Sequence, residues 1–257
     1  MELDDITISR AIIERYYKDL TENLEIDVAI AGAGPSGLVA AYYLAKEKKK
    51  VAIFERRLSI GGGMLAGGMM FNHIVFQQDA KSILDEFCIR TQHYKDHYYT
   101  ADAVESATGL AFKAIQAGAK IFNLMSVEDI YYQNNRVQGF VINWVTTQMT
   151  NLLIDPLTIR AKISVDATGH DASIVNKLLK KENVKLNTKT GGIVGEQGMW
   201  AEKAEKYVVE NTGEVFPGLW VMGMACAGTY GTPRMGPIFG GMLLSGKKLA
   251  EKILKVL

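Results

Sequence analysis

Ile26-Asp-Val-Ala-Ile-Ala-Gly-Ala-Gly-Pro-Ser-Gly37, followed by Val51-Ala-Ile-Phe-Glu55, is the stretch whose reading decides the fold. Its first six residues form a short apolar run suited to a buried parallel strand. Gly32, Gly34 and Gly37 then give G-x-G-x-x-G, and an apolar helical segment runs to about Lys46 before the second strand. Strand, glycine loop, helix and strand at this spacing make a βαβ unit. In such a unit Gly32 permits the tight turn, Gly34 lets the backbone approach a diphosphate, and Gly37 lets helix and strand close together. Free amides at the helix start, around Ser36, face phosphate charge. Glu55 ends the second strand, where an acid accepts hydrogen bonds from ribose hydroxyls and disfavours a 2′-phosphate. Arg56 beside it dilutes that inference. The glycine pattern alone is common; flanked by these strands and this acid, it points to an adenine dinucleotide.

Outward from this unit, Ile8, Ile12, Tyr16 and Leu20 recur at helical spacing, predicting an N-terminal helical appendage over about 6–24. It packs on the domain or on a neighbouring subunit. Ile60-Gly-Gly-Gly-Met-Leu-Ala-Gly-Gly-Met-Met70 is too glycine-rich for a regular element and reads as a loop approaching a ligand. Helices are expected over 79–90 and 101–117, a strand over 120–125, and a hairpin from 127–132 and 136–145 across Gln133-Asn-Asn. A strand over 161–167, a helix over 171–180, a strand over 219–224 and a helix from about Gly236 complete the chain. With no repeats or linkers, residues 1–257 read as a single dinucleotide-binding catalytic domain: an α/β, Rossmann-type parallel sheet with an inserted hairpin.

The 257 residues carry a net charge of +1, which removes the electrostatic case for nucleic acid or an anionic membrane. No apolar run approaches the roughly 20 residues of a membrane span. The opening Met1-Glu-Leu-Asp-Asp5 shows no secretory pattern, so a cytoplasmic location is expected. Cys88 and Cys226 are isolated, without the spacing of a zinc site or disulfide framework, and read as buried small hydrophobes.

The order of parts resembles the glutathione-reductase-like flavoprotein superfamily: inserted hairpin, a strand ending in Asp166-Ala-Thr-Gly169, then a late strand before the last helix. FAD enzymes of that kind carry an acid after the late strand to hold the ribityl chain. Val221-Met-Gly-Met-Ala-Cys-Ala-Gly228 has none. An FAD-dependent oxidoreductase of the geranylgeranyl-reductase-like type, or a non-catalytic NAD-binding module, is therefore the alternative. Taken together, Glu55-Arg56, Gly61-Gly-Gly-Met64, Asp155-Pro156, Thr168-Gly-His-Asp171 and Arg234-Met-Gly-Pro237 resemble the thiamine thiazole synthase family over nearly the whole chain. The resemblance implies a transferase of the pentosyl class in which NAD is a substrate. Nicotinamide is lost, the ADP-ribose becomes a ketone, glycine condenses, sulfur is added and an adenylated thiazole carboxylate closes. It also implies Fe(II) and a homo-octamer.

By the same resemblance Asp155 and His170 are the metal ligands, drawn from different subunits. One carboxylate and one imidazole suit Fe(II) and leave coordination positions open. From the residues alone, Asp155 is equally a turn starter before Pro156, and His170 a cap for the following helix. Arg234 is assigned to the glycine carboxylate, which a guanidinium grips through two parallel hydrogen bonds; its other reading is loop support. Gly63, Val127 and Met224 are placed against the dinucleotide, Met224 being also a plausible core residue. His73, just past the glycine-rich loop, either relays protons during isomerisation or is structural. His93 and His97 are assigned no metal. Leu153 occupies the position where the family carries a sulfur-donating cysteine or a histidine. Leucine can neither donate sulfur nor bind a metal, so external sulfide and multiple turnovers are expected. Cys226, the one cysteine in a stretch read as ligand-facing, is the internal rival.

Overall fold

The computed structural model describes residues 3–257. Helix α1 (Asp5–Glu22) is capped by the Asp4 carboxylate and has no buried residue. It leans on the body only through its C-terminal half. There Tyr16 meets Phe122 edge-on at 6.3 Å, Leu20 joins the core and Asp19 pairs with Lys120. Strand β1 (Glu25–Ala31), α2 (Pro35–Lys46) and β2 (Val51–Glu55) follow as the βαβ unit. Two short 3-10 turns (Gly62–Ala66 and Gly68–Met70) build the glycine-rich loop.

A small antiparallel sheet comes next, which the sequence reading missed. It comprises β3 (His73–Gln77), β4 (Thr91–Lys95) and β5 (Tyr98–Asp102), with α3 (Lys81–Glu86) between the first two. The Tyr-rich segment is therefore a β-hairpin, and the helix expected over 79–90 is reduced to Lys81–Glu86 behind a 3-10 turn. Helix α4 (Ala103–Gln116) is capped by Asp102, whose carboxylate accepts from the Glu105 amide at 2.7 Å. This cap moves its start two residues beyond the expected Ala101.

Strand β6 (Lys120–Asn123) is separated from β7 (Met125–Gln133) by Leu124 at φ 55°, so the strand expected over 120–125 breaks there. β7 pairs with β8 (Arg136–Trp144) across Asn134 and Asn135, both left-handed as a tight hairpin requires. Helix α5 (Val145–Met149), β9 (Leu157–Asp166) and α6 (Ser173–Leu178) follow. Then come β10 (Gln197–Met199), α7 (Ala201–Glu210), β11 (Gly213–Phe216) and β12 (Leu219–Val221). Helix α8 (Met224–Tyr230), β13 (Pro233–Arg234) and α9 (Gly240–Ile253) end the chain. Neither α7 nor α8 was expected. The last helix begins at Gly240, after Phe239, whose amide donates to the Val75 carbonyl.

The main sheet runs β11-β12-β9-β1-β2-β6, with β7 and β8 joined through β9. β1 is parallel to both β2 and β9, and β12 is parallel to β9. The chain leaves β1 for β2 on one side and later returns to β9 on the other. The carboxyl ends of these strands thus frame the crevice where α/β proteins bind ligands. One core, with Leu38, Leu44, Ile53 and Leu110, packs α2, α4 and α9 on one face of the sheet. The other, with Phe54, Phe122 and Phe140, lies under the hairpin and α6. No described helix is long and apolar enough to cross a membrane.

Candidate active site

A cleft of about 540 Å³ opens at the carboxyl ends of β1, β2 and β9. Gly32 turns at φ +108°, and a Cβ there would lie 2.5 Å from the Ala167 carbonyl oxygen, so no other residue fits. A Cβ on Gly37 would overlap the Gly32 carbonyl, whereas one on Gly34 would meet nothing within 4 Å. Turn, packing and open approach are thus divided among the three glycines as their spacing predicted. Gly61 donates to the Ala33 carbonyl at 2.9 Å, which ties the second glycine loop to the first. Gly63, Val127 and Met224 all line the cleft, as do Ser36, Glu55 and Arg56.

Glu55 is 7% exposed. Its Oε2 accepts the Ala33 amide and its Oε1 the Arg57 amide, each at 2.8 Å. A carboxylate oxygen has two acceptor positions, so both remain able to take a ribose hydroxyl while the amides fix their direction. Arg56 turns from Glu55 towards Asp171, 4.0 Å away, across the mouth of the cleft.

On the β9 side, buried Asp166 accepts from the Thr168 amide and hydroxyl and from the Ile174 and Val175 amides at 2.6–3.0 Å. Burial pushes its pKa up; these four donors pull the other way. Asp166 therefore supplies the cap for α6, and His170 does not. The imidazole instead stands half exposed, its Nδ1 2.5 Å from Glu196 Oε1. Glu196 Oε2 lies 3.5 Å from Arg234 Nε. Sequence reasoning missed Glu196. Its only local signal is an acid between glycines in Gly195-Glu-Gln-Gly198, and its partners lie 26 and 38 residues away.

Asp155 lies on the exposed stretch after α5, outside the cleft lining. Among the described residues no group of three or more His, Cys, Asp or Glu is arranged to hold a metal. One chain therefore gathers His170 and Arg234 around Glu196 and leaves Asp155 apart. His73 opens β3, exposed and outside the cleft lining. Leu153 is 103% exposed. Cys88 is exposed, contrary to expectation. Cys226 is fully buried on α8, absent from the cleft lining, with its thiol pushed up to about 12 by burial. It is a core residue and does not face a ligand.

This geometry is that of a Rossmann-type fold of the dinucleotide-binding kind; His170 lines its cleft, while Glu196 and Arg234, which complete the imidazole–carboxylate–guanidinium cluster, lie outside the cleft lining. Residues 9–239 match the Thi4 family, and the chain belongs to that family. It is 58% identical to the thiamine thiazole synthase of Pyrococcus abyssi over 255 residues, 99% of each chain. It is 55% identical to that of Methanothermobacter thermautotrophicus over the whole of both. The crystal structure of Thermovibrio ammonificans THI4 superposes with a TM-score of 0.97 at 54% identity, covering 99% of each chain. L-Proline dehydrogenase from P. horikoshii shares the fold at a TM-score of 0.58 and 14% identity, over 90% of this chain and 94% of its own.

Proposed function

We propose that this chain is a thiamine thiazole synthase that consumes NAD, glycine and external sulfide and releases nicotinamide and an adenosine diphosphate thiazole carboxylate. The coarse statement, an enzyme of thiamine-thiazole biosynthesis, rests on family membership and on full-length relatives of that name. The observation that carries the finer reading is the continuity of one cleft from the glycine cradle to His170. The cradle holds the ADP part by its amides and Glu55, which leaves the nicotinamide ribose directed towards the cluster. Loss of nicotinamide transfers the ADP-ribosyl group, a pentosyl transfer. Arg234 offers its guanidinium to the carboxylate of glycine. Met224, Met235 and Phe239 line the same cleft with apolar surface and exclude water around the reacting carbons.

Asp155 and His170 fit Fe(II) by donor type: His170 has one nitrogen engaged and the other free, and the Asp155 carboxylate has no hydrogen-bond partner among the described residues. Fe(II) held by these two residues would supply Lewis-acid polarisation of a substrate carbonyl. Because Asp155 stands outside its own chain's cleft, a second copy of the chain is needed to bring it to His170. Met149, Leu152, Leu153 and Ile154 beside it are exposed, as are Ile6, Ile12, Ile13 and Tyr17 on α1. Covering each such side chain contributes about 1.5–3 kcal/mol, which favours a homo-oligomer, an octamer by the family resemblance.

Sulfur comes from outside the chain: Leu153 has none, exposed Cys88 stands outside the cleft lining, and the buried Cys226 thiol, pushed up to about 12, yields almost no thiolate near neutrality. The enzyme therefore turns over repeatedly. The test is nicotinamide release under anoxic conditions with NAD, glycine, Fe(II) and sulfide. More than one equivalent per chain is expected; release of none refutes the proposal.

A further inference from the structure

We infer that Glu196 is a positioning residue that sets the His170 imidazole and the Arg234 guanidinium in one fixed relation, so that metal binding and glycine binding depend on the same carboxylate. The inference rests on the proposed roles of His170 and Arg234. A carboxylate facing Nδ1 at 2.5 Å accepts a hydrogen bond and donates none, so the ring hydrogen sits on Nδ1. Nε2 is then the free lone pair, aimed away from Glu196 and available to a metal. A carboxylate on the far nitrogen of a metal-ligating histidine fixes its tautomer and ring orientation. On the other oxygen, Arg234 makes an ion-pair contact through Nε at 3.5 Å, without a hydrogen bond. Its two Nη groups have no hydrogen-bond partner among the described residues and can fork end-on onto a substrate carboxylate.

Three observations separate this arrangement from an ordinary surface ion pair. The Glu196 side chain is 19% exposed, whereas nearby Arg56 and Asp171 are 61% and 73% exposed and 4.0 Å apart. The backbone on either side of it is stitched down: the Gly195 amide donates to Gly228 at 3.0 Å and the Gln197 amide to Thr232 at 3.1 Å. The same strip is fixed against β13, where Gln197 pairs with Pro233 and Met199 with Arg234. A swinging side chain on a free loop has none of these restraints. The backbone carrying Glu196 is thus locked to the backbone carrying Arg234, and its carboxylate reaches across to the loop after β9 that carries His170.

The experiment is an anoxic calorimetric titration of Fe(II) into the full-length wild type and into Glu196→Ala, Glu196→Gln and His170→Ala. Glycine KM and kcat, NAD affinity and thermal midpoint are measured on the same preparations. Glu196→Ala is expected to weaken Fe(II) binding about 10- to 100-fold, the usual effect of removing such a partner. Glu196→Gln, whose carbonyl still accepts from Nδ1–H, loses less. Both raise glycine KM more than they lower kcat, and both keep wild-type NAD affinity and thermal midpoint. Wild-type Fe(II) affinity in Glu196→Ala, with His170→Ala impaired, overturns the inference and leaves the proposed function standing. Wild-type affinity in His170→Ala as well removes the metal site itself, and both readings fall.

Discussion

Replacing Glu205 by Gln should make the protein more stable in alkaline solution, and hardly change it in acid. Glu205 lies on α7 under the start of α9, 7% exposed, with its Oε2 accepting the Gly241 amide at 2.7 Å. Its Oε1 is buried without a partner, as is Oε1 of the adjoining Gln77. Burial raises its pKa from 4.5 to about 7, against the pull of the Gly241 amide. A carboxyl whose folded pKa is raised binds more protons folded than unfolded. Its contribution is most favourable below 4.5 and is lost as the pH climbs through about 7. Linkage puts the full loss at ~3 kcal/mol, an upper value, because the N-terminal amides of α9 favour the anion.

A glutamine is nearly isosteric with the protonated acid. Its carbonyl keeps the Gly241 amide, and its NH2 supplies a donor where Gln77 Oε1 lacks one. Urea unfolding of both proteins at pH 5 and pH 8.5 reads the difference. The advantage of Glu205→Gln should be about 2–3 kcal/mol larger at pH 8.5 than at pH 5. An advantage that does not change with pH, or a variant less stable at pH 8.5, refutes the reasoning.

Gly34→Val places a side chain in open cleft space, so calorimetry should find the fold intact while NAD affinity falls at least ~10-fold. Gly37→Ala drives a Cβ into the Gly32 carbonyl and should cost about 1–3 kcal/mol in denaturant unfolding. The Cys88→Ala/Cys226→Ala double variant should still make thiazole from NAD, glycine, Fe(II) and sulfide over many turnovers; loss of product in a folded variant would put a protein thiol in the sulfur path. Asp155→Asn and His170→Ala, each inactive alone, should regain part of the activity when refolded together, because mixed oligomers contain sites with both ligands intact. Failure of verified mixed oligomers to recover activity would place the two ligands in one chain.

The βαβ unit was legible because its signals are local: alternating glycines and a strand-ending acid within 30 residues. Gly32, Gly34 and Gly37 fell where their spacing put them. The small sheet β3-β5-β4 was not legible. Gln92, His93 and Lys95 are mostly exposed on both faces, so no apolar alternation marks the strand. Helix α8 was hidden for the opposite reason. Met224–Thr229 is buried all round, and a uniformly apolar run looks alike as strand or helix. At the site, His170 and Arg234 were found through motif resemblance, while Glu196 carries no motif of its own. Its role comes from the pairing of β10 with β13 and from the loop after β9, contacts between distant parts of the chain. Asp155 shows a further limit: it stands exposed and outside the cleft lining of its own chain, so no contact within one chain marks it.

Mass spectrometry of the nucleotide recovered after anoxic incubation with NAD, carbon-13 glycine, Fe(II) and sulfide tests the central claim most directly. An adenylated thiazole carboxylate carrying the glycine label, with free nicotinamide in solution, is the predicted result. Intact NAD, or bound FAD with no labelled nucleotide, would contradict it.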